Sequence, residues 1–187
     1  MESTLAAFVL SLSGLVFFVD DSPKTMPAKA PDLQSQLLRR TKADQEARDA
    51  WVQLLKDNGS NGLVNTAALS KEQRVEFERV QAKLKAVDAE NTKWLKGVVE
   101  KHGWPTNTLV GTDGADAAWL LAQHADADPK FQRYCLDLMA KLPKNEVSQT
   151  KLAYLTDRVL LAEGKKQLYG TQFISVDGKW KPRPLED

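Results

Sequence analysis

The sequence predicts a mainly α protein, an antiparallel helical bundle with a small C-terminal β-hairpin. Two long stretches, about 32–57 and 71–102, carry apolar residues in steps of three and four. Ser, Thr, Asp and Pro then recur at the spacing of helix starts, with Gly at helix ends. Near the C-terminus, Asp177-Gly178 separates Phe173-Ile174-Ser175-Val176 from Lys179-Trp180-Lys181, a hairpin signal.

The chain divides into an apolar signal or anchor segment at 1–19, a linker at 20–31 and a single helical domain at 32–187. Thr4 to Val19 is uncharged and mostly apolar. It is shorter than the roughly 20 residues of a membrane span, and fits the apolar region of a secretory signal better. Glu2 stands where a signal usually carries Lys or Arg, and Ala28-Lys29-Ala30, the best cleavage pattern, is followed by Pro31. Export to the periplasm or outside, or membrane tethering through residues 4–19, is the expectation, with a cytoplasmic location as the alternative. Asp20 to Pro31 has the Pro, Asp, Ser and Lys content of a linker.

Of 187 residues, 42% are hydrophobic and 27% charged, with a net charge of +1. That is enough for one core, and it lacks the whole-molecule basic footprint of a nucleic-acid binder. A single cysteine, Cys135, rules out an internal disulfide and thiolate-rich zinc patterns. Two histidines cannot make a three-histidine metal site, and no cofactor motif is present. Cys135 lies in an apolar helical pattern, as a small buried hydrophobe would.

Asp32 can cap the first helix, which carries Leu33, Leu37, Ala47, Trp51, Leu54 and Leu55. Asn58 to Gly62 reads as a turn. Ser70 and Gln73 have capping-box spacing. From there Phe77, Val80, Leu84, Val87, Asn91, Trp94 and Val98 form a seam. A helix-mediated oligomer could use it. An antiparallel pair with the helix just upstream is preferred, and Trp51 and Trp94 would then share the seam. Gly103 and Pro105 end this helix, with Lys101 and His102 in its last turn.

Thr108 to Gly114 reads as a loop without the lysine-bearing end of a phosphate loop. Thr112 or Asp113 would cap the alanine-rich helix that runs to about Ala125. Asp128-Pro129 starts the next helix, with Phe131, Cys135, Leu138, Met139 and Leu142 as its core face. Ser148 caps the last helix, Gly164 ends it, and Tyr154, Asp157 and Arg158 can share a face. The hairpin should pack on the helices, because two strands alone are marginal.

His124 is a candidate general acid or base at neutral pH. Asp126 and Asp128 could orient it or help bind a metal, although His124-Asp126-Asp128 is not a recognised metal spacing; Asp157 and Arg158 could bind an anionic or carboxylate group, and Tyr169 and Gln172 could add hydrogen bonds. A purely structural account covers the same residues: His124 at a helix C-terminus, the two aspartates as caps, and Asp157 with Arg158 as a salt bridge.

Trp104-Pro105, Val110-Gly111, Ala117 to His124, Phe131-Gln132, Ala153 to Arg158 and Tyr169 to Gln172, in that order, resemble the bacterial domain-of-unknown-function family numbered 6624, over about residues 90–187. The resemblance carries no activity. Its recurrent polar positions match Gln123, His124, Gln132, Asp157, Arg158, Tyr169 and Gln172. With the chemistry of the side chains, His124, Asp157 and Arg158 are the catalytic candidates, and Gln123, Gln132, Tyr169 and Gln172 the ligand-binding candidates. Members of the family usually continue into an acidic turn, a paired-arginine segment and a final helix, whereas this chain stops at Leu185-Glu186-Asp187. The reading is a ligand- or partner-binding or structural module. The alternative is a small hydrolase or transferase using His124 with Asp157 and Arg158.

Overall fold

The computed structural model describes residues 30–58, 64, 66–176 and 179–186. The apolar segment at 4–19, nearly all of the linker, the centre of the Asn58–Gly62 turn and the Asp177-Gly178 pair lie outside these residues. Five helices and a two-stranded antiparallel hairpin make up the fold: α1 Pro31–Asp57, α2 Lys71–His102, α3 Asn107–Gln123, α4 Pro129–Ala140, α5 Gln149–Ala162, β1 Phe173–Val176 and β2 Lys179–Pro182. Among the described residues no helix is long and apolar enough to cross a membrane.

Pro31 opens α1 without a side-chain cap. Asp32 falls inside the first turn and accepts from Gln36 Nε2 at 2.8 Å, so it supports the helix rather than capping it. The entry is fixed instead by the backbone, where Ala30 N–H donates to Leu109 O at 2.9 Å. In α2 both halves of the capping box form: Gln73 N–H donates to Ser70 Oγ and Ser70 N–H to Gln73 Oε1. α1 and α2 run antiparallel, as Trp51–Phe77 contact at one end (5.2 Å between rings) and Arg40 over Trp94 at the other (4.6 Å) show. The two tryptophans therefore sit at opposite ends of the seam. Arg40 Nη1 donates to buried Asn91 Oδ1 at 3.1 Å. The seam a second copy would use is filled by α1.

α3 packs against each of the other four helices. Its buried Ala115, Ala117, Ala118 and Ala122 allow the close approach. The expected loop at 108–114 is helical at both ends. Thr106 Oγ1 accepts from Leu109 N–H and starts a first turn, Gly111 breaks it at φ 72°, and the helix resumes to Gln123. Glu146, from the distant α4–α5 connection, holds the turn by accepting from Thr108 N–H at 2.9 Å. That tertiary bond is what converts a glycine-bearing loop into a kinked helix. A side chain at Gly111 would be strained at that φ, and one at Gly114 would meet Val110 Cβ at 2.8 Å.

Asp128 caps α4 through Phe131 N–H at 3.1 Å, with Pro129 in its first turn. Ser148 caps α5, and Gly164 follows it at φ 74°. Leu37, Leu95, Leu121, Met139 and Leu155 are among the fully buried side chains of the core. The hairpin pairs Phe173 with Pro182 and Val176 with Lys179. It does not bury itself on the helices: Phe173 is 53% and Trp180 65% exposed. Its base is held by hydrogen bonds from Gln167 rather than by apolar packing.

Candidate functional site

His124 follows the last residue of α3 and turns toward α1. Its Nδ1 lies 2.9 Å from Oδ2 and 3.1 Å from Oδ1 of Asp44, which is completely buried. Arg48, one turn along α1 from Asp44, places Nε 2.9 Å from the same Nδ1 and 3.3 Å from Asp44 Oδ2. Its Nη2 donates to Asp88 of α2 at 2.6 Å. Nδ1 cannot donate to Asp44 and accept from Arg48 at once, so the proton on His124 decides which bond exists. Among the described residues nothing bonds Nε2, and the side chain keeps 16% of its surface exposed.

The two aspartates of this centre are shifted oppositely. Burial by itself would raise Asp44. The His124 hydrogen bond, the charges of His124 and Arg48, and a bond from Gln45 together hold it below the ordinary carboxylate value. Asp88 is pushed up, chiefly by burial and further by the charges of Asp44 and Asp126, against the pull of Arg48 and His124.

Two residues on, Asp126 joins α3 to α4 and α5. Both its oxygens accept from Arg158 Nη1 at 2.7 Å. Buried Gln132 donates from Nε2 to Asp126 Oδ1 at 3.0 Å and to the carbonyl of Gln123 at 3.1 Å, closing the C-terminal end of α3. Gln123 itself is buried, with Oε1 unpartnered among the described residues, as is Arg158 Nε.

Asp157 belongs to a second centre. Its Oδ1 accepts from the backbone of Leu168 and Tyr169 at 2.7 and 2.9 Å. Oδ2 accepts from the backbone and hydroxyl of Thr171, both at 2.8 Å. Burial would raise this carboxyl, and the amide bonds outweigh it and lower it. Buried Gln167 completes the centre, donating to the carbonyls of Gln172 and Arg183 and accepting from Gln172 N–H. Gln172 Nε2 reaches the Tyr154 carbonyl at 3.4 Å, and Tyr169 is 57% exposed.

The expected residues thus divide. His124 meets Asp44 and Arg48 of α1, whereas Gln132 and Arg158 meet at Asp126, two residues beyond His124. Asp157, Tyr169 and Gln172 lie in the loop ahead of the hairpin. Asp157 and Arg158 do not pair with each other, because neighbours on a helix point about 100° apart. Cys135 is fully buried with its thiol pushed up to about 12 by burial, no condition for a nucleophile. Asp44, Arg48, Asp88 and Gln167 were not singled out by sequence. One signal was available: Asp44 falls on the apolar stripe of α1, in step with Leu37, Ala47 and Leu54, where a charge needs a partner. Four clefts on the described surface are lined by other residues. No group of three or more His, Cys, Asp or Glu able to hold a metal occurs among the described residues.

A family model described as a family of unknown function, DUF6624, matches residues 31–186. The chain belongs to DUF6624. The DUF6624 match begins at the first residue of α1, so the family extends over the long helix pair as well as the motif-bearing half, and both polar centres lie inside it. No curated protein and no solved structure matches the chain.

Proposed function

We propose that this DUF6624 chain is a ligand-binding domain whose site is the polar face around His124, Asp126 and Arg158, and that His124 exchanges a proton with the bound group through Nε2. The observation that carries this reading is the 2.9 Å contact between His124 Nδ1 and buried Asp44. A carboxylate that accepts from Nδ1 fixes the ring and leaves Nε2 as the outward atom. Arg158, bonded to Asp126 two residues beyond His124, is the guanidinium donor of the proposed site.

A second reading, general acid–base catalysis by a small hydrolase or transferase, is supported by the chain of contacts from Asp44 through His124 and Arg48 to Asp88. Asp44 is shifted down and Asp88 up within one cluster. Groups whose environments push their pKa values apart are a common feature of sites that move protons.

The test uses the imidazole nitrogen resonances of the full chain, which holds only two histidines, His102 and His124. His102→Gln assigns the pair. Neutral His124 is expected as the Nδ1–H tautomer, and Asp44→Asn should release it to the commoner Nε2–H form. An Nε2–H tautomer in the unsubstituted protein, with Arg48 donating to Nδ1, would falsify the reading.

A further inference from the structure

We propose that the cleft between α3, α5 and the connection from α4 to α5 binds a small planar carboxylic acid, one aromatic ring bearing one carboxylate. This site is separate from the His124 face. The cleft has a volume of about 330 Å³, and its wall includes Trp104, Trp119, Met139 and Val147, with Lys144 and Lys151 among its polar lining. That is the lower end of the range of ligand pockets, suited to a single-ring ligand rather than a nucleotide.

The aromatic wall is set before any ligand arrives. Trp119 donates its indole N–H to the Lys151 carbonyl at 2.8 Å. Tyr154 meets its ring edge-on at 6.4 Å, and the Lys151 ammonium lies 5.4 Å from its centroid. Trp104, 5% exposed, is held by the core, and no described residue accepts from its indole N–H. A wall fixed by a hydrogen bond, an edge contact and a cation loses little freedom when a ring stacks on it.

Charge selects the ligand's other end. Asp116, the acidic residue of the lining, is ion-paired with Lys151. No described residue pairs with Lys144, which leaves one positive charge in surplus at the cleft. A carboxylate supplies the missing partner, a neutral amide supplies none, and an ammonium is repelled.

The experiment follows the indole N–H signals of the full chain while benzoate, benzamide or benzylammonium is added. Benzoate should move the signals of Trp104 and Trp119 and leave those of Trp51, Trp94 and Trp180 in place. Benzamide should bind about tenfold more weakly, as expected from losing one charge-assisted contact. Lys144→Gln should erase the difference between the two. Lys144 is exposed and makes no described bond, so this variant keeps the test valid even where a tryptophan substitution prevents folding. His124→Gln should leave benzoate affinity unchanged, which separates this site from the polar face. Equal affinity for benzoate and benzamide, no response to benzoate, a response confined to Trp94, or loss of binding in His124→Gln would each overturn the proposal.

Discussion

Asp44 and Asp157 are both fully buried carboxylates held below their ordinary range, yet they are satisfied by different kinds of partner. Asp157 takes three backbone N–H groups and one hydroxyl from a single loop. Those donors cannot lose their protons, and their only alternative is an unpaired buried amide. Asp44 takes His124, Arg48 and Gln45, all side chains, and the His124 nitrogen it meets can either donate or accept. The first arrangement fixes a chain segment. The second joins side chains of α1 to the end of α3, with Nδ1 of His124 within reach of both Asp44 and Arg48. Burial and a lowered pKa are common to both carboxylates, and the nature of the donors is what differs.

The largest loss is expected at Asp157. Asp157→Asn turns an amide group toward three N–H donors and should cost about 3 kcal/mol, within the range for orphaned buried donors. Chemical denaturation measures the loss. Hydrogen exchange should show Leu168, Tyr169 and Thr171 unprotected while the amides of α2 stay slow. Protected amides in the variant would show that the loop does not depend on the carboxylate. The pH dependence has a definite sign. Asp157 is lowered from 3.8, so below neutrality the unfolded chain binds more protons than the native one. The stability it contributes is full above that value and lost as the pH falls through the lower folded value.

Asp44→Asn should cost less, about 1–2 kcal/mol, because Arg48 retains Asp88 and an asparagine can still accept one bond. Its larger effect is on His124, whose tautomer should change without a change in the helix content measured by circular dichroism. A cost above that of Asp157→Asn would mean that Asp44 is the main structural anchor and that the proposed proton site is subordinate to it.

Local signals in the sequence were sufficient for most helix starts. Ser70 with Gln73, Asp128 with Pro129, and Ser148 act within four residues of themselves, and the structure uses each as a cap. Long-range partners were not legible. The turn at Asn107–Val110 depends on Glu146, 38 residues away, and a loop was the correct local expectation without it. The hairpin's register followed from Asp177-Gly178, but its exposure did not, because the anchor is Gln167 bonding to chain on both sides of the hairpin. The candidate site was half legible. His124, Gln132 and Arg158 stand in one motif-bearing stretch, whereas Asp44, Arg48 and Asp88 come from the long helices, where ordinary helical charge patterning concealed them.

The smallest expected effect is at Asp88, and it has the opposite pH sign. Burial and the charges of Asp44 and Asp126 raise this carboxyl from 3.8 despite its 2.6 Å bond to Arg48. A carboxyl raised on folding contributes stability that is full below 3.8 and lost as the pH rises through the folded value. At neutral pH its ionised form is therefore a net cost to the fold. Asp88→Asn should change stability by less than about 1 kcal/mol at pH 7, as for a partly exposed ion pair. It should also remove the part of the decline above pH 4 that Asp88 causes. Denaturation midpoints collected from pH 3 to 8 separate the cases. Asp157→Asn flattens the acid side of the profile, and Asp88→Asn flattens the rise of pH beyond it. A large loss at pH 7 in Asp88→Asn would show that the ion pair to Arg48 outweighs burial. The cluster around His124 would then be held as rigidly as the loop around Asp157, and the distinction drawn between the two carboxylates would collapse.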